Sequence, residues 1–117
     1  MSTNADCLFC KIVDRKIPAQ IVFENDSVLG LKDINPQAPV HLLFLPKRHM
    51  NDISDVKKED SALLADLVCA ATEASREFKV ASSGFRLVIN TKDDGGQTVG
   101  HLHLHLLGGR CMHWPPG

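Results

Sequence analysis

The run His101-Leu102-His103-Leu104-His105-Leu106-Leu107 constrains this chain more than any other segment, because histidine and leucine alternate strictly from 101 to 106. Side chains on a β-strand point alternately to opposite faces. A strand over 101–107 therefore places three imidazoles on one face, with successive histidine Cα atoms about 6.5 Å apart. Leu102, Leu104 and Leu106 share the other face and call for a helix packed on them. The histidine face must then be a cleft or a polar surface.

The rest of the chain can be read as the frame around that strand. Leu8, Phe9, Ile12 and Val13 have the spacing of a short helix over 7–16, ended by Pro18. Segments 21–24 and 28–32 read as two strands joined at Asn25-Asp26, a good turn pair. Residues 35–39 form a loop, since Pro36 and Pro39 cannot serve a central strand. Residues 40–45 are a nearly continuous apolar run, interrupted by His41 and stopped by Pro46, as in a well-buried strand. Ser54 or Asp55 is the expected cap of a long helix with Leu63, Leu64, Leu67, Val68, Ala71 and Phe78 on one face. Ser83-Gly84 is a break, 85–90 another strand, and 91–100 a polar loop carrying Asp94-Gly95-Gly96-Gln97.

These segments predict one α+β domain over residues 1–117: about five mostly antiparallel strands, one long helix covering a face and one short helix. A chain of 117 residues buries one core, not two. Residues 1–6 are expected to be a flexible N-terminus and 109–117 a C-terminal tail.

Charge narrows the partners. Lys and Arg number 13 against 14 Asp and Glu, a formal charge of −1. Neither nucleic acid nor a membrane surface is an expected partner, whereas a single nucleotide needs only a local cradle. No stretch approaches the roughly 20 apolar residues of a membrane span. Met1–Asp6 shows no basic-then-apolar leader, so a cytoplasmic protein is expected, with the nucleus left open. Cys7, Cys10, Cys69 and Cys111 are then reduced thiols or metal ligands rather than disulfides.

The chemistry is concentrated on the histidine face. Neutral imidazole is a nucleophile and its cation an acid or electrostatic clamp. A central His103 can attack phosphorus and carry a covalent intermediate. His101 and His105 flank it, one to hand a proton to the leaving group and the other to hold non-bridging oxygens. Such use predicts a bell-shaped pH dependence of the rate. A metal site competes with this reading, since histidines at i and i+2 can chelate one ion. The neighbouring loop favours the nucleophile: Gly95 and Gly96 let backbone N–H groups approach a phosphate, while Gln97, Thr98 and nearby Asn90 add side-chain donors.

Residues 101–107 match, at every place, the His-x-His-x-His-x-x signature of the histidine-triad nucleotide-binding proteins. The resemblance runs from about Cys7 to Gly117. Segments 33–39, 94–97, 107–110 and the terminal Met112-His113-Trp114-Pro115-Pro116-Gly117 resemble the Hint branch in particular. That resemblance implies a homodimer in which two sheets join into one, with 109–117 near the interface. It implies hydrolysis of purine nucleoside phosphoramidates (AMP or GMP linked to an amine) and of aminoacyl-adenylates, through a nucleotidyl intermediate on His103. His41 matches a fourth histidine supporting the triad. Asp33 is implied at the ribose hydroxyls, with Ile34 against base or sugar. Asn90, Gly96, Gln97, Thr98 and His105 are implied at the phosphate and leaving group, and Leu8, Phe9, Ile12 and Leu31 at the base. Trp114 matches a residue that approaches the partner's site, the alternative being a tryptophan packed on its own domain.

The resemblance also bears on Cys7-x-x-Cys10, a common chelate spacing that two free thiols on a helix would equally explain. Some histidine-triad proteins bind structural zinc through such a pair plus two histidines, here His49 and His101; catalysis itself needs no metal. The Hint members best known for phosphoramidase activity often lack the cysteine pair, so two sub-patterns are mixed. If His101 is a ligand, it is not a free proton carrier. The competing functions are a dinucleoside polyphosphate hydrolase, disfavoured by the Trp-Pro-Pro-Gly ending, and a nucleotide sensor or scaffold with little turnover.

Overall fold

The computed structural model describes residues 4–117. A short helix, α1 (Leu8–Val13), precedes three strands, β1 (Ile21–Glu24), β2 (Val28–Lys32) and β3 (Val40–Pro46). The long helix α2 (Ser61–Glu77) follows, then β4 (Phe85–Val88), a one-turn helix α3 (Lys92–Gly95) and β5 (Leu104–Gly108). The five strands form one sheet in the order β1-β2-β3-β5-β4, every neighbouring pair antiparallel.

Both faces of the central strands are covered. On one face Leu67, Ala70, Ala71 and Ala74 of α2 pack on Leu42, Phe44, Leu102, Leu104 and Leu106. On the other, Phe9, Cys10 and Ile12 of α1 pack on Leu29, Leu31, Leu43 and Leu45. This double cover explains why 40–45 reads as an unbroken apolar run: its odd and even positions serve different cores. Gly30 is required where the sheet is tightest, because a Cβ there would lie 2.8 Å from Cε1 of Phe44.

The strand boundaries correct the expectation in one instructive place. The leucines face α2 as the alternation predicts, but the ladder begins at Leu104, and 101–103 are a lead-in outside it, with a bend at His101. In the β3–β5 register Phe44 faces Leu104, so Leu102 would fall opposite Pro46. Proline has no N–H to offer, and the Pro46 carbonyl instead accepts from Nε2 of His101 at 2.8 Å. The ladder therefore stops.

Other corrections are local. The long helix starts at Ser61, not after Ser54 or Asp55; Asp52 accepts from the Ser54 N–H at 2.8 Å and caps a separate turn over Ile53–Asp55. Its buried stripe is Leu67, Ala70, Ala71, Ala74 and Ser75, while Val68 is exposed. Leu63 and Phe78 of the expected face pack half-buried on the same core, and Ala70 and Ala74 extend the stripe because their small side chains let the helix lie close to the sheet. β4 ends at Val88 rather than Asn90. The polar loop contains α3, closed by Gly96 in the left-handed region at φ 80°. Asn4 to Cys7 form a turn, with the Cys7 N–H on the Asn4 carbonyl at 3.1 Å, although a flexible terminus was expected there; residues 1–3 lie outside the described residues. Among the described residues no helix is long and apolar enough to cross a membrane.

Candidate active site

A cavity of about 310 Å³ opens on the α1 face of the sheet. Its apolar end is built by Leu8, Phe9 and Ile12 of α1, by 17–19, and by Leu31 and Leu43, which face each other across β2 and β3. Its polar end holds Asp33, Thr98, His103 and His105, with Ile34 almost fully exposed at the rim. Sequence reasoning missed Ile17, Pro18, Ala19, Leu43 and Val99. Leu43 was within reach: it is the antiparallel partner of Leu31 and shares its face.

The hydrogen bonds assign a proton to each imidazole. Nδ1 of His103 lies 2.7 Å from the His101 carbonyl, which can only accept, so Nδ1 carries the proton and Nε2 is a bare lone pair. The Gln37 N–H donates to Nδ1 of His41 at 3.0 Å, so the proton of neutral His41 sits on Nε2. That Nε2–H faces Nδ1 of His105 at 2.9 Å and Oδ2 of Asp33 at 3.3 Å. His105 therefore accepts at Nδ1 and holds its own proton on Nε2. This Nε2 is buried and has no hydrogen-bond partner among the described residues. An unpartnered buried donor beside a bare nucleophilic nitrogen suits an incoming anion. The Gln37 peptide is in turn held from the tail: Nε of Arg110 donates to the Gln37 carbonyl at 3.0 Å.

Burial sets the charge state. It pushes His105 down to about 4, helped by the neighbouring His103 and His41, and Asp33 opposes it. It also lowers His103 and His41, again against Asp33. The imidazoles of His41, His103 and His105 are thus neutral at pH 7, beside the Asp33 carboxylate. A stability consequence follows for His105 and His41, which charge in the unfolded chain near 6.5 but resist charging when folded. The His105 contribution is complete above pH 6.5 and is lost as pH falls from 6.5 through about 4, and the lowered His41 acts in the same direction. Urea midpoints measured across that window are expected to fall steadily; a constant midpoint would contradict the assignment.

His101 departs from the expected catalytic role. It is fully buried, away from the cavity, and its ring meets α1. With Nε2–H on the Pro46 carbonyl, its Nδ1 faces Sγ of Cys7 at 3.3 Å and Sγ of Cys10 at 3.6 Å. His49 is arranged alike: Nε2 lies 2.8 Å from Oδ1 of Asn51, and Nδ1 lies 3.3 Å from Sγ of Cys10. All four donor atoms fall within 4.8 Å of one another. Tetrahedral zinc with two sulfurs at 2.3 Å and two nitrogens near 2.0 Å needs ligand separations of about 3.3–3.8 Å. Both imidazoles have their far nitrogen tied to an acceptor, leaving the near one bare, as a metal requires. The donor set fits a closed zinc site.

Asp33, His41 and His105 also converge. There the Gln37 N–H occupies Nδ1 of His41 and forces a proton onto Nε2, so this trio holds a proton rather than offering three lone pairs.

The phosphate loop differs from expectation as well. Thr98 reaches the cavity, but Asn90, Gly96 and Gln97 do not line it. The Gln97 amide, expected as a phosphate donor, closes its own loop. Its Nε2 donates to the Asn51 and Val99 carbonyls at 2.8 and 2.9 Å, and its Oε1 accepts from the Lys92 N–H at 2.9 Å. Trp114 is 84% exposed, which removes the reading of a tryptophan packed on its own domain.

The sequence pattern of the HIT domain matches residues 14–112. An uncharacterized HIT-like protein of Synechocystis is 51% identical over 96% of this chain and 97% of its own length. The crystal structure of a HIT family hydrolase from Legionella pneumophila superposes with a TM-score of 0.94 at 51% identity, covering 96% of this chain and 100% of that one. A histidine triad protein from Clostridium difficile superposes at 0.91 with 36% identity, over 95% of this chain and 96% of its own. A triad strand, a five-stranded sheet and a cleft under a short helix thus meet in one sequence pattern, and the chain belongs to the HIT family.

Proposed function

We propose that this chain is a purine nucleoside phosphoramidase, hydrolysing the P–N bond between AMP or GMP and an amine, and that aminoacyl-adenylates are related substrates. The observation that carries this reading is the pair of ring nitrogens at the polar end of the cavity: the bare Nε2 of His103 and the unpartnered Nε2–H of His105. The purine occupies the apolar end and the Asp33 carboxylate accepts from the ribose hydroxyls. Nε2 of His103 attacks phosphorus as the P–N bond breaks, and the departing amine nitrogen takes the proton from Nε2 of His105. Water then attacks phosphorus, the P–Nε2 bond breaks, and His105 recovers a proton from that water. Water is consumed and amine and nucleotide are released, so the step balances.

His105 must be cationic to give up that proton and stay neutral afterwards, and the added proton on its Nδ1 turns the Nε2–H of His41 onto Oδ2 of Asp33, 3.3 Å away. The substrate anion supplies the stabilisation, since a negative charge raises an imidazole held down by burial. AMP binding at pH 7 is accordingly expected to take up protons. Calorimetry in buffers of differing ionisation enthalpy would reveal this, and a binding heat independent of the buffer would refute it.

The Cys7, Cys10, His49 and His101 cluster is proposed to hold zinc, whose contribution is to fix those side chains; no catalytic step needs it. The protein is proposed to pair as a homodimer through β4, an edge strand, along which the tail is held by Arg86 on the His113 carbonyl at 2.8 Å. That arrangement would bring the exposed Trp114 toward a partner's cavity. A cytoplasmic location accords with four cysteines that are all free. The test is to offer an AMP–amine phosphoramidate and a diadenosine polyphosphate to the same preparation. Preferential turnover of the first is expected. Preference for the second replaces the reading with a polyphosphate hydrolase, and AMP binding without turnover of either replaces it with a sensor.

A further inference from the structure

α1 belongs to two sites at once. Leu8, Phe9 and Ile12 form a wall of the cavity proposed for the nucleotide, while Cys7, its N-cap, and Cys10 meet His49 and His101. The helix has six residues, too few to persist without tertiary support. Its first turn is capped only by a sulfur, Sγ of Cys7 accepting from the Cys10 N–H at 3.4 Å. Sheet contacts therefore hold it in place, and the four-residue cluster anchors its N-terminal end.

The same cluster touches the nucleophile by two routes. The backbone carbonyl of His101 fixes the proton of His103 at Nδ1. The ring of Phe9 stands edge-on to both imidazoles, with centroids 5.8 Å from His101 and 5.1 Å from His103. A second cavity of about 400 Å³ reaches Cys7 and His49, and it shares Leu8, Thr98 and Val99 with the first. The cluster is thus reachable by small chelators without passing through the proposed nucleotide site.

We infer that Cys7, Cys10 and His49 are positioning residues for nucleotide binding: their joint hold on a thiophilic divalent ion keeps α1 docked, and releasing it opens the wall of the cavity. The inference rests on the reading of that cavity as a nucleotide site. If α1 stays docked in one molecule of ten once the cluster is released, the apparent Kd for AMP rises about tenfold.

The experiment compares full-length protein loaded with zinc, the same protein stripped by a chelator, and His49→Ala. Metal per chain, AMP affinity by calorimetry and amide exchange are read on each. Stripping and His49→Ala are expected to weaken AMP binding by about tenfold or more. Exchange should accelerate across 9–13 while β3 stays protected, and zinc should restore the stripped protein. His49→Cys, which keeps a ligand, should retain both metal and affinity. A purely structural metal would instead loosen β3 and α2 along with α1. That pattern, or an AMP Kd unchanged on stripping, overturns the inference, as does protein that binds AMP tightly yet takes up no zinc. Failure of the loaded protein to bind AMP at all overturns the nucleotide reading itself.

Discussion

Hydrolysis of an AMP–amine phosphoramidate by His103→Ala is expected to fall by about 10⁴-fold or more, because a covalent nucleophile has no substitute in its own site. The fold should survive. His103 contributes one side-chain hydrogen bond, from Nδ1 to the His101 carbonyl, an aromatic edge contact with Phe9 and a tilted ring contact with His105. AMP should still bind, since the apolar wall, Asp33 and the His105 donor remain. Measuring turnover and AMP affinity on the same preparation separates the two effects. Turnover within tenfold of wild type would show that phosphorus is attacked directly by water and that His103 has another task. Lost turnover together with lost AMP binding would point to a collapsed cavity, which the urea midpoint would reveal.

Phe44→Ala is expected to have the opposite signature. Phe44 is fully buried in the α2 core, tilted against Phe23 and lying directly over Gly30. Truncating a buried phenylalanine typically costs about 3–5 kcal/mol, because the space left behind collapses only in part. Gly30 has no side chain to move into it. This is a large share of the stability of a domain this size. Urea unfolding monitored by circular dichroism should show the shift, while the folded fraction keeps its turnover, since Phe44 faces away from the cavity. A loss below about 1 kcal/mol would mean that α2 re-seats on the sheet.

The contrast between these variants follows a division visible in the sequence. Leucine and histidine alternate from 101 to 106, and the structure sends one set to α2 and the other toward α1. The two-faced burial of β3 could also be read, because His41 alone interrupts its apolar run. Three features could not. The ladder stops before 101–103 because the prolyl carbonyl opposite is taken by an imidazole, and no local pattern encodes that pairing. The helix stripe takes in Ala70 and Ala74 because close approach to the sheet favours small side chains there, which hydrophobicity does not single out. Gln97 read as a donor for a ligand because its residue type fits one, yet loop closure claimed all three of its hydrogen bonds. Residue type names the chemistry a side chain can perform; its competitors for that chemistry are set by distant segments.

The same principle separates His101 from its two neighbours. Spacing groups the three imidazoles, but each acquires its proton position from a different backbone group: Pro46 for His101, His101 for His103, and Gln37 acting through His41 for His105.

The hold of Arg110 on the Gln37 peptide means that acid–base behaviour in the cleft is wired to the C-terminal tail. Arg110 touches no part of the cavity, yet it steadies the peptide whose N–H decides which nitrogen of His41 is protonated, and so which nitrogen of His105 is left unpartnered. Residues 37 and 110 are distant in sequence but form one functional unit. Grafting a tail without an arginine at 110 onto this domain would therefore loosen the peptide that sets histidine protonation in the cleft, even if every residue lining it were kept.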